Sequence, residues 1–382
     1  MVRLLNSMEK EKKFVLGQYF TKKNAVDRVI ELVQKYCNYN PEINVFEPSA
    51  GTRNFIAVLK EKGFNNITEC EIDPELTKEP CDFFTFPIEK KFSLIVGNPP
   101  FTKYNVKESY YYPANYFSTA ISSQDYIPQS MLNKDKTQIE NAFILKSILH
   151  LKDKESSIAF VLPISFFIGK KNQDTKKAIS EKFSTIIIYQ NDKNWFEEPI
   201  PCCFAIFTNL EKYNNKIVLL YEDGQTVEEI MPKEKLLTEE LIPKSYLYKN
   251  QCVQEGVPLS NFLSGTALKY QKDYNNNNVS GANILQKDKI PETEEVQDYV
   301  LAVVRVGNAS VGKAGLINIK KDILNDMFFI FEFKDEYKSN KEIKENICSL
   351  INKNQQHFKN STIRVGSKSI KRADIFDFCV KI

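Results

Sequence analysis

Histidine is almost missing from this chain: His150 and His357 are the two in 382 residues. The eight cysteines are scattered, apart from adjacent Cys202-Cys203, and none has the paired spacing of a metal site. Both shortages argue against a zinc centre, and no metal is expected. Reduced thiols in a cytoplasm account for the cysteines more simply than disulfides do. Long apolar runs are lacking too; none approaches the length that crosses a bilayer. The opening MVRLLNSMEKEKKF has neither the apolar stretch nor the small-residue cleavage site of a secretory signal, so a cytoplasmic chain without a membrane partner is expected. Charge of one sign is scarce as well. A net +3 is too small to demand a polyanionic partner, and nucleic-acid binding must be argued from where the charges sit.

What is present is a long chain with room for two cores. Residues 22–36 carry Ala25, Val29, Ile30, Leu32, Val33 and Tyr36 at helical spacing. INVFEPSAG then reads as a strand entering a loop, TRNFIAVLKEKGF as a helix, ITECEIDPE as a strand ending in acids, and SLIVGNPPF as the next strand. The alternation resumes with IENAFILKSILHLK, SSIAFVLP and NQDTKKAISEKF, and closes on TIIIYQ and CCFAIFTNL, two apolar runs placed to pair antiparallel. Strands alternating with helices predict an α/β fold built on a parallel, doubly wound sheet over residues 1–225. A charged, proline-bearing stretch, 226–244, reads as a connector. Over 245–382 short strands broken by Gly and Asn, with one helix in NKEIKENICSLINKNQQHF, predict a separate α+β or mostly β domain.

Three features of the first domain sit where an open α/β sheet binds ligands, beyond the carboxyl ends of its strands. Ser49, Ala50 and Gly51 let a ligand approach the backbone ahead of a helix N-terminus. Glu71 ends the next strand, where an acid can accept hydrogen bonds from both hydroxyls of a ribose. Asp82-Phe83-Phe84 offers a carboxylate for an adenine amino group and a ring for stacking. Each has a plainer reading as a tight turn, a solvated acid or a core phenylalanine. Then comes Gly97-Asn98-Pro99-Pro100-Phe101: a buried strand that stops at an amide and two prolines, which stiffen the chain and leave its carbonyls free to accept.

Taken in order, these stretches resemble the N6-adenine DNA methyltransferases, in the arrangement with cofactor loop first, catalytic loop next and target-recognition domain last. The matching runs are GQYFT (17–21), FEPSAGTRNF (46–55), ECEIDPE (69–75), CDFF (81–84) and GNPPF (97–101), with weaker ones at 140–148, 156–167 and 194–207. The resemblance implies a Rossmann-like class I methyltransferase sheet. It implies that S-adenosylmethionine is bound by Tyr19, Thr21, Glu47, Pro48, Ser49, Ala50, Gly51, Glu71, Ile72, Asp82, Phe83 and Asn98. It also implies a catalytic loop of Asn98, Pro99, Pro100 and Phe101. The family often has a second glycine where this chain has Arg53, a side chain expected to crowd the cofactor loop.

The chemistry suits such a loop. An adenine N6 amine is a poor nucleophile because its lone pair is delocalised into the ring. If the Asn98 oxygen and the Pro99 carbonyl accept its two hydrogens, the lone pair can turn toward a sulfonium methyl. The base must first be flipped out of its duplex. Phe101 would stack on it, and the resemblance makes Phe196 the second ring, with Trp195 as the alternative. Between Phe101 and Ile139 lies a tyrosine-rich segment that either contacts unstacked bases or covers the sheet edge.

The second domain, from about residue 250, resembles the target-recognition domains of type I restriction specificity subunits, through VVRVGNASVGKAGLINI (303–319) and STIRVGSKSIKRADIFDFCVKI (361–382). Arg305, Lys313, Arg364, Lys368, Lys371 and Arg372 lie among Gly and Ser there, suited to phosphate and base-edge contacts on duplex DNA. The expected protein is a site-specific DNA methyltransferase acting on adenine N6, with a cognate restriction endonuclease as a companion. An RNA or protein-glutamine methyltransferase, or a catalytically inactive DNA-binding homologue, remain the alternatives.

Overall fold

The computed structural model describes residues 16–104, 137–168, 172–198, 200–251, 256–264, 278–362 and 369–381. The chain divides into two compact units, Met1–Pro243 and Lys244–Ile382. Most of the tyrosine-rich 102–138 segment, together with Arg364 and Lys368, lies outside the described residues.

The first unit is an eight-stranded sheet in the order β10-β9-β7-β8-β6-β3-β1-β2. Its strands are β1 (Val45–Glu47), β2 (Ile67–Glu69), β3 (Leu94–Gly97), β6 (Ser157–Pro163), β7 (Thr185–Asn191), β8 (Cys202–Thr208), β9 (Lys216–Asp223) and β10 (Gln225–Pro232). A short hairpin of β4 (Lys103–Tyr104) and β5 (Thr137–Gln138) stands apart from it. Pairing from β2 through β6 is parallel; β8 runs antiparallel between β6 and β7, as the adjacent apolar runs predicted. Helix α1 (Lys23–Cys37) packs Val26, Val29, Ile30 and Val33 into a core that also holds Phe55, Leu59, Val96, Phe204 and Val218. Helices α2 (Asn54–Glu61), α3 (Ile139–Leu149), α4 (Gln173–Lys182) and the short α5 (Lys235–Thr238) complete the unit.

The expected connector is a correction. Residues 225–232 pair register by register with 216–223 as the edge strand β10, so the boundary moves to Pro243. Of the charged residues that suggested a linker, Glu228 is exposed and Glu229 half-buried on that edge, where charge blunts unwanted pairing.

Strand β1 lies between β2 and β3, so the chain reverses its winding direction there. That switch point opens a crevice at the carboxyl ends of β1 and β3. The loops after β1 (48–51), β2 (70–73), β3 (98–101) and β7 (192–196) all leave the same edge of the sheet, since these four strands run in one direction.

The second unit centres on an antiparallel sheet, β13-β12-β14, of β12 (Tyr299–Val304), β13 (Ala314–Asn318) and β14 (Phe328–Phe331). Every residue of β12 is buried. Leu301 and Val303 join one core while Val300, Ala302 and Val304 join another, the period-two alternation of a strand covered on both faces. Two helices of the unit are α6 (Pro243–Gln251) and α7 (Lys341–Lys353); α7 supplies Ile347, Cys348 and Ile351 to the first of these cores. Lys344 on α7 is fully buried, and its ammonium donates to the carbonyls of Val296 and Tyr299 at 2.8 Å each. An antiparallel bridge between Val306 and Ser369 brings together the two basic stretches singled out in the sequence.

Close packing between β1 and β3 gives a test. A methyl group on Gly97 would stand 2.7 Å from Cδ and 2.8 Å from Oε2 of the buried Glu47 carboxyl, and closer still to Oε1. Gly97→Ala is expected to destabilise the protein by about 1–3 kcal/mol, the usual cost of overpacking. Gly224→Ala, where nothing lies within 4 Å, is strained at φ +72° but meets no neighbour, and should cost less in a thermal melt.

Candidate active site

Asn98 follows β3 and is gripped from two sides. Its Nδ2 donates to the Tyr19 carbonyl at 2.6 Å, while its own carbonyl accepts from Ser49 Oγ at 3.1 Å. The first bond orients the amide; the second ties the loop after β1 to the loop after β3. Asn98 Oδ1 is buried and has no hydrogen-bond partner. An unsatisfied buried acceptor costs about 1–3 kcal/mol. Pro99 and Pro100 keep the backbone from relaxing to relieve it.

The GQYFT stretch lies across this loop. The Phe101 amide donates to the Gly17 carbonyl at 3.0 Å. A side chain on Gly17 would meet the Phe101 backbone at 2.9–3.0 Å, and φ there is +62°, so only glycine fits comfortably. Gln18 Nε2 donates to Asp73 Oδ2 at 2.8 Å, joining the same stretch to the loop after β2. Thr21 is 4 % exposed, and its Oγ1 is a second buried atom without a partner.

A third is Glu47 Oε2. Glu47 Oε1 accepts from the Ser49 amide at 3.3 Å, and burial pushes the carboxyl well above the usual carboxylate range. Glu71, half-buried, spreads its two oxygens: Oε2 accepts from the Gly51 amide at 2.6 Å and Oε1 from the Asp73 amide at 2.8 Å. Each oxygen keeps a lone pair for a further donor. Pro48 and Ala50 are buried, and Ile72 is half-buried beside Glu71. Arg53, at the position where a crowded loop was in question, is held by an acid. It sits at φ +62°, a conformation that glycine adopts without cost, and its guanidinium pairs with Glu69 Oε1 at 2.8 Å.

Asp82 caps a single 3₁₀ turn, Phe83–Thr85, by accepting from the Phe84 amide at 2.8 Å. Burial pushes its carboxyl up to about 6, against the opposing pull of that amide and of Lys146. Phe83 is buried, 4.8 Å from the Phe143 ring and 5.7 Å from that of Phe46. Phe143 and Lys146 were not singled out in the sequence. Lys146 is fully buried on α3 and donates to the carbonyls of Phe84 at 2.8 Å and Phe86 at 3.1 Å, so it holds the Asp82 turn from beneath. A lysine flanked by the apolar run at 142–145 and by Ile148 and Leu149 was the available signal, since a cation buried there needs acceptors.

Phe101, Tyr19 and Phe196 meet as one cluster: Phe101 lies 6.1 Å from Tyr19 and 5.8 Å, edge to face, from Phe196. Phe196 is fully buried. Trp195 is tied elsewhere, its indole N–H donating to Asn191 Oδ1 at 2.7 Å.

In the second unit Arg305 pairs with Asp326 and Arg372 stacks on Phe331 at 4.7 Å; Lys313 is half-buried. No group of three or more His, Cys, Asp or Glu among the described residues is arranged to hold a metal, and no described helix is long and apolar enough to cross a membrane.

The donor set fits S-adenosylmethionine. Acids stand at the end of β2 and beyond it, where they would accept from ribose and adenine, Gly51 opens the backbone, and Thr21 Oγ1 and Glu47 Oε2 are buried polar atoms without partners. An adenine amino group that donates to Asp82 needs the ionised carboxylate. Cofactor affinity should therefore hold above pH 7 and fall as the pH drops through about 6, by about tenfold per unit well below it. Calorimetry from pH 5 to 8 checks this, and Asp82→Asn should flatten the profile. Glu71→Ala should weaken binding at every pH.

Comparison with known proteins bears on the same stretches. The chain is 28% identical over 193 residues to the type II methyltransferase M.HincII of Haemophilus influenzae, covering 49% of this chain and 36% of that protein. It is 35% identical over 96 residues to the type II methyltransferase M.CvrRI of Paramecium bursaria Chlorella virus XZ-6E, covering 22% and 24%. The alignment with M.HincII thus spans about a third of that relative's length. Among solved structures, the type I restriction-modification methyltransferase subunit from Streptococcus thermophilus matches with TM-score 0.40 and 16% identity, over 55% of this chain and 49% of that one. The family model described as N-6 DNA Methylase matches residues 65–275. That stretch is more than half of the chain and takes in Glu71, Asp82, the Asn98 loop and Phe196, and on it the chain belongs to the N-6 DNA methylase family.

Proposed function

We propose that this protein transfers a methyl group from S-adenosylmethionine to the N6 amine of an adenine flipped out of duplex DNA. One observation carries the reading: Asn98 Oδ1 is a buried acceptor without a partner, held by an amide anchored through its other atom on a two-proline loop. Such an atom is organised for a donor that the free protein does not supply.

When bound, S-adenosylmethionine supplies an electrophilic methyl on its sulfonium. The chain's own groups do the rest. Asn98 Oδ1 accepts one N6 hydrogen of the target base and the Pro99 carbonyl accepts the other. These contacts strengthen as positive charge develops on the nitrogen, so they favour the transition state over the ground state. No base is needed beforehand, because alkylation makes the N6 proton acidic and it leaves afterwards. Phe101 offers a ring to one face of the base, and Phe196, edge-on to Phe101 in this state, is the candidate for the other.

The pocket takes one base and cannot read its neighbours. Residues 245–382 are the sequence reader, with Arg305, Lys313, Arg364 and Lys368 as its basic contacts to DNA; Arg372, expected among them, packs on Phe331 and Phe376 instead. The likeness to type II methyltransferases supports a restriction–modification setting, with a cognate endonuclease as companion and the cytoplasm as the compartment.

Asn98→Ala tests the mechanism. Loss of one preorganised partner for developing charge should slow single-turnover methyl transfer by about 100- to 1000-fold, with DNA binding little changed. A rate that survives within a few-fold removes Asn98 from the proposed role.

A further inference from the structure

Two arginines of the second unit sit on phenylalanines of the same strand, yet they are held in opposite ways. Arg372 is used up. Its guanidinium lies 4.7 Å from the centre of the buried Phe331 ring and 5.7 Å from that of Phe376. Its Nη2 donates to the Ile330 carbonyl at 3.0 Å, its Nε is buried without a partner, and burial lowers its pKa. That side chain packs the fold.

Arg305 is held by one edge only. Its backbone is pinned on both sides: its amide donates to Met327 O at 2.8 Å, and its carbonyl accepts from the Ile370 amide at 3.0 Å. Its Nε donates to the Asp326 carbonyl at 2.5 Å, and its Nη2 stands 3.6 Å from Asp326 Oδ2. The guanidinium lies 5.9 Å from the centre of the Phe329 ring. A guanidinium has five N–H donors in a plane. Two are turned toward Asp326, and no described residue takes the other three. They include the parallel pair on Nη1 and Nη2, the fork that matches two acceptors side by side. The Arg305 and Asp326 side chains are 38% and 43% exposed.

Phosphate is the wrong partner for this pair. Asp326 cancels the charge that would attract a phosphate, and its own exposed carboxylate would repel one. A base edge suits both. Guanine presents O6 and N7 side by side in the major groove, and a carboxylate accepts from a cytosine N4 amine. We infer that Arg305, braced by Asp326 and Phe329, reads one guanine of the methylated sequence through O6 and N7. This rests on the reading of residues 245–382 as the sequence reader.

The test uses the full chain. Single-molecule sequencing of DNA from cells expressing it gives the methylated motif, which should contain a guanine at the position in question. In the purified parent protein, replacing that base by 7-deazaguanine, which lacks the N7 acceptor, should lower kcat/KM by about tenfold or more, as should a base-pair change there. In Arg305→Ala the motif should become degenerate at that position alone, and 7-deazaguanine should no longer matter. Arg305→Lys should not restore the discrimination, since an ammonium has no fork. Arg372→Ala should leave the motif unchanged.

A motif without guanine, or a parent protein indifferent to 7-deazaguanine at every guanine, overturns the inference whether or not the variants fold. So does an Arg305→Ala protein that binds all duplexes equally more weakly, with a salt dependence shallower by about one and rescue by lysine, because that is a phosphate contact. If the parent chain leaves no N6-methyladenine at all, the proposed function fails first and takes this inference with it.

Discussion

The site depends on a single hydrogen bond between distant parts of the chain, from Asn98 Nδ2 to the carbonyl of Tyr19. By committing the donor end of the side chain to the protein, it forces the acceptor end to face the remaining space. An asparagine free to rotate would satisfy its oxygen with water or a nearby amide. Anchored here, beside two prolines and with its backbone carbonyl taken by Ser49, it has no such freedom. The Gly97 backbone pressed against Glu47 belongs to the same constraint, since only a residue without a side chain lets β3 carry Asn98 this close to the loop after β1.

Around that constraint the cofactor loops are assembled from backbone amides and acids rather than from cations. Glu71 accepts from amides on both sides of the crevice, and Asp82 from the turn it caps. The cation nearest in effect, Lys146, is spent beneath the turn on two carbonyls. A carboxylate that already accepts from the backbone is held in one orientation, which leaves its outward lone pairs aimed before a ligand arrives.

Much of the first unit was legible because its signals are local. Helix α1 shows its periodicity, β3 its apolar run, and the loops their small residues and prolines. The order of the motifs carried the family, and the four loops do leave one edge of the sheet at a switch point. What was not legible is non-local. Charged β10 looks like a linker because its stabilising contact is the backbone of β9, which side chains do not announce. Arg53 looked obstructive because its partner, Glu69, lies on another strand. Phe143 and Lys146 gain meaning only once α3 is laid against the turn at Asp82. In the second unit the basic residues of the two stretches all looked alike, and only stacking and pairing partners set Arg305 apart from Arg372.

The GQYFT stretch also has a bearing on the order in which the protein takes shape. Its carbonyls hold the loop after β3, some eighty residues downstream, and the amide of Lys22 just behind it donates to the Trp195 carbonyl at 2.8 Å. Closing loops that long is entropically costly and contributes to folding only after the intervening sheet exists to bring the ends together. Residues 17–22 are therefore among the last to settle. Until they do, the Asn98 side chain lacks its anchor on Tyr19, so the geometry of this loop is completed only when the two distant segments meet.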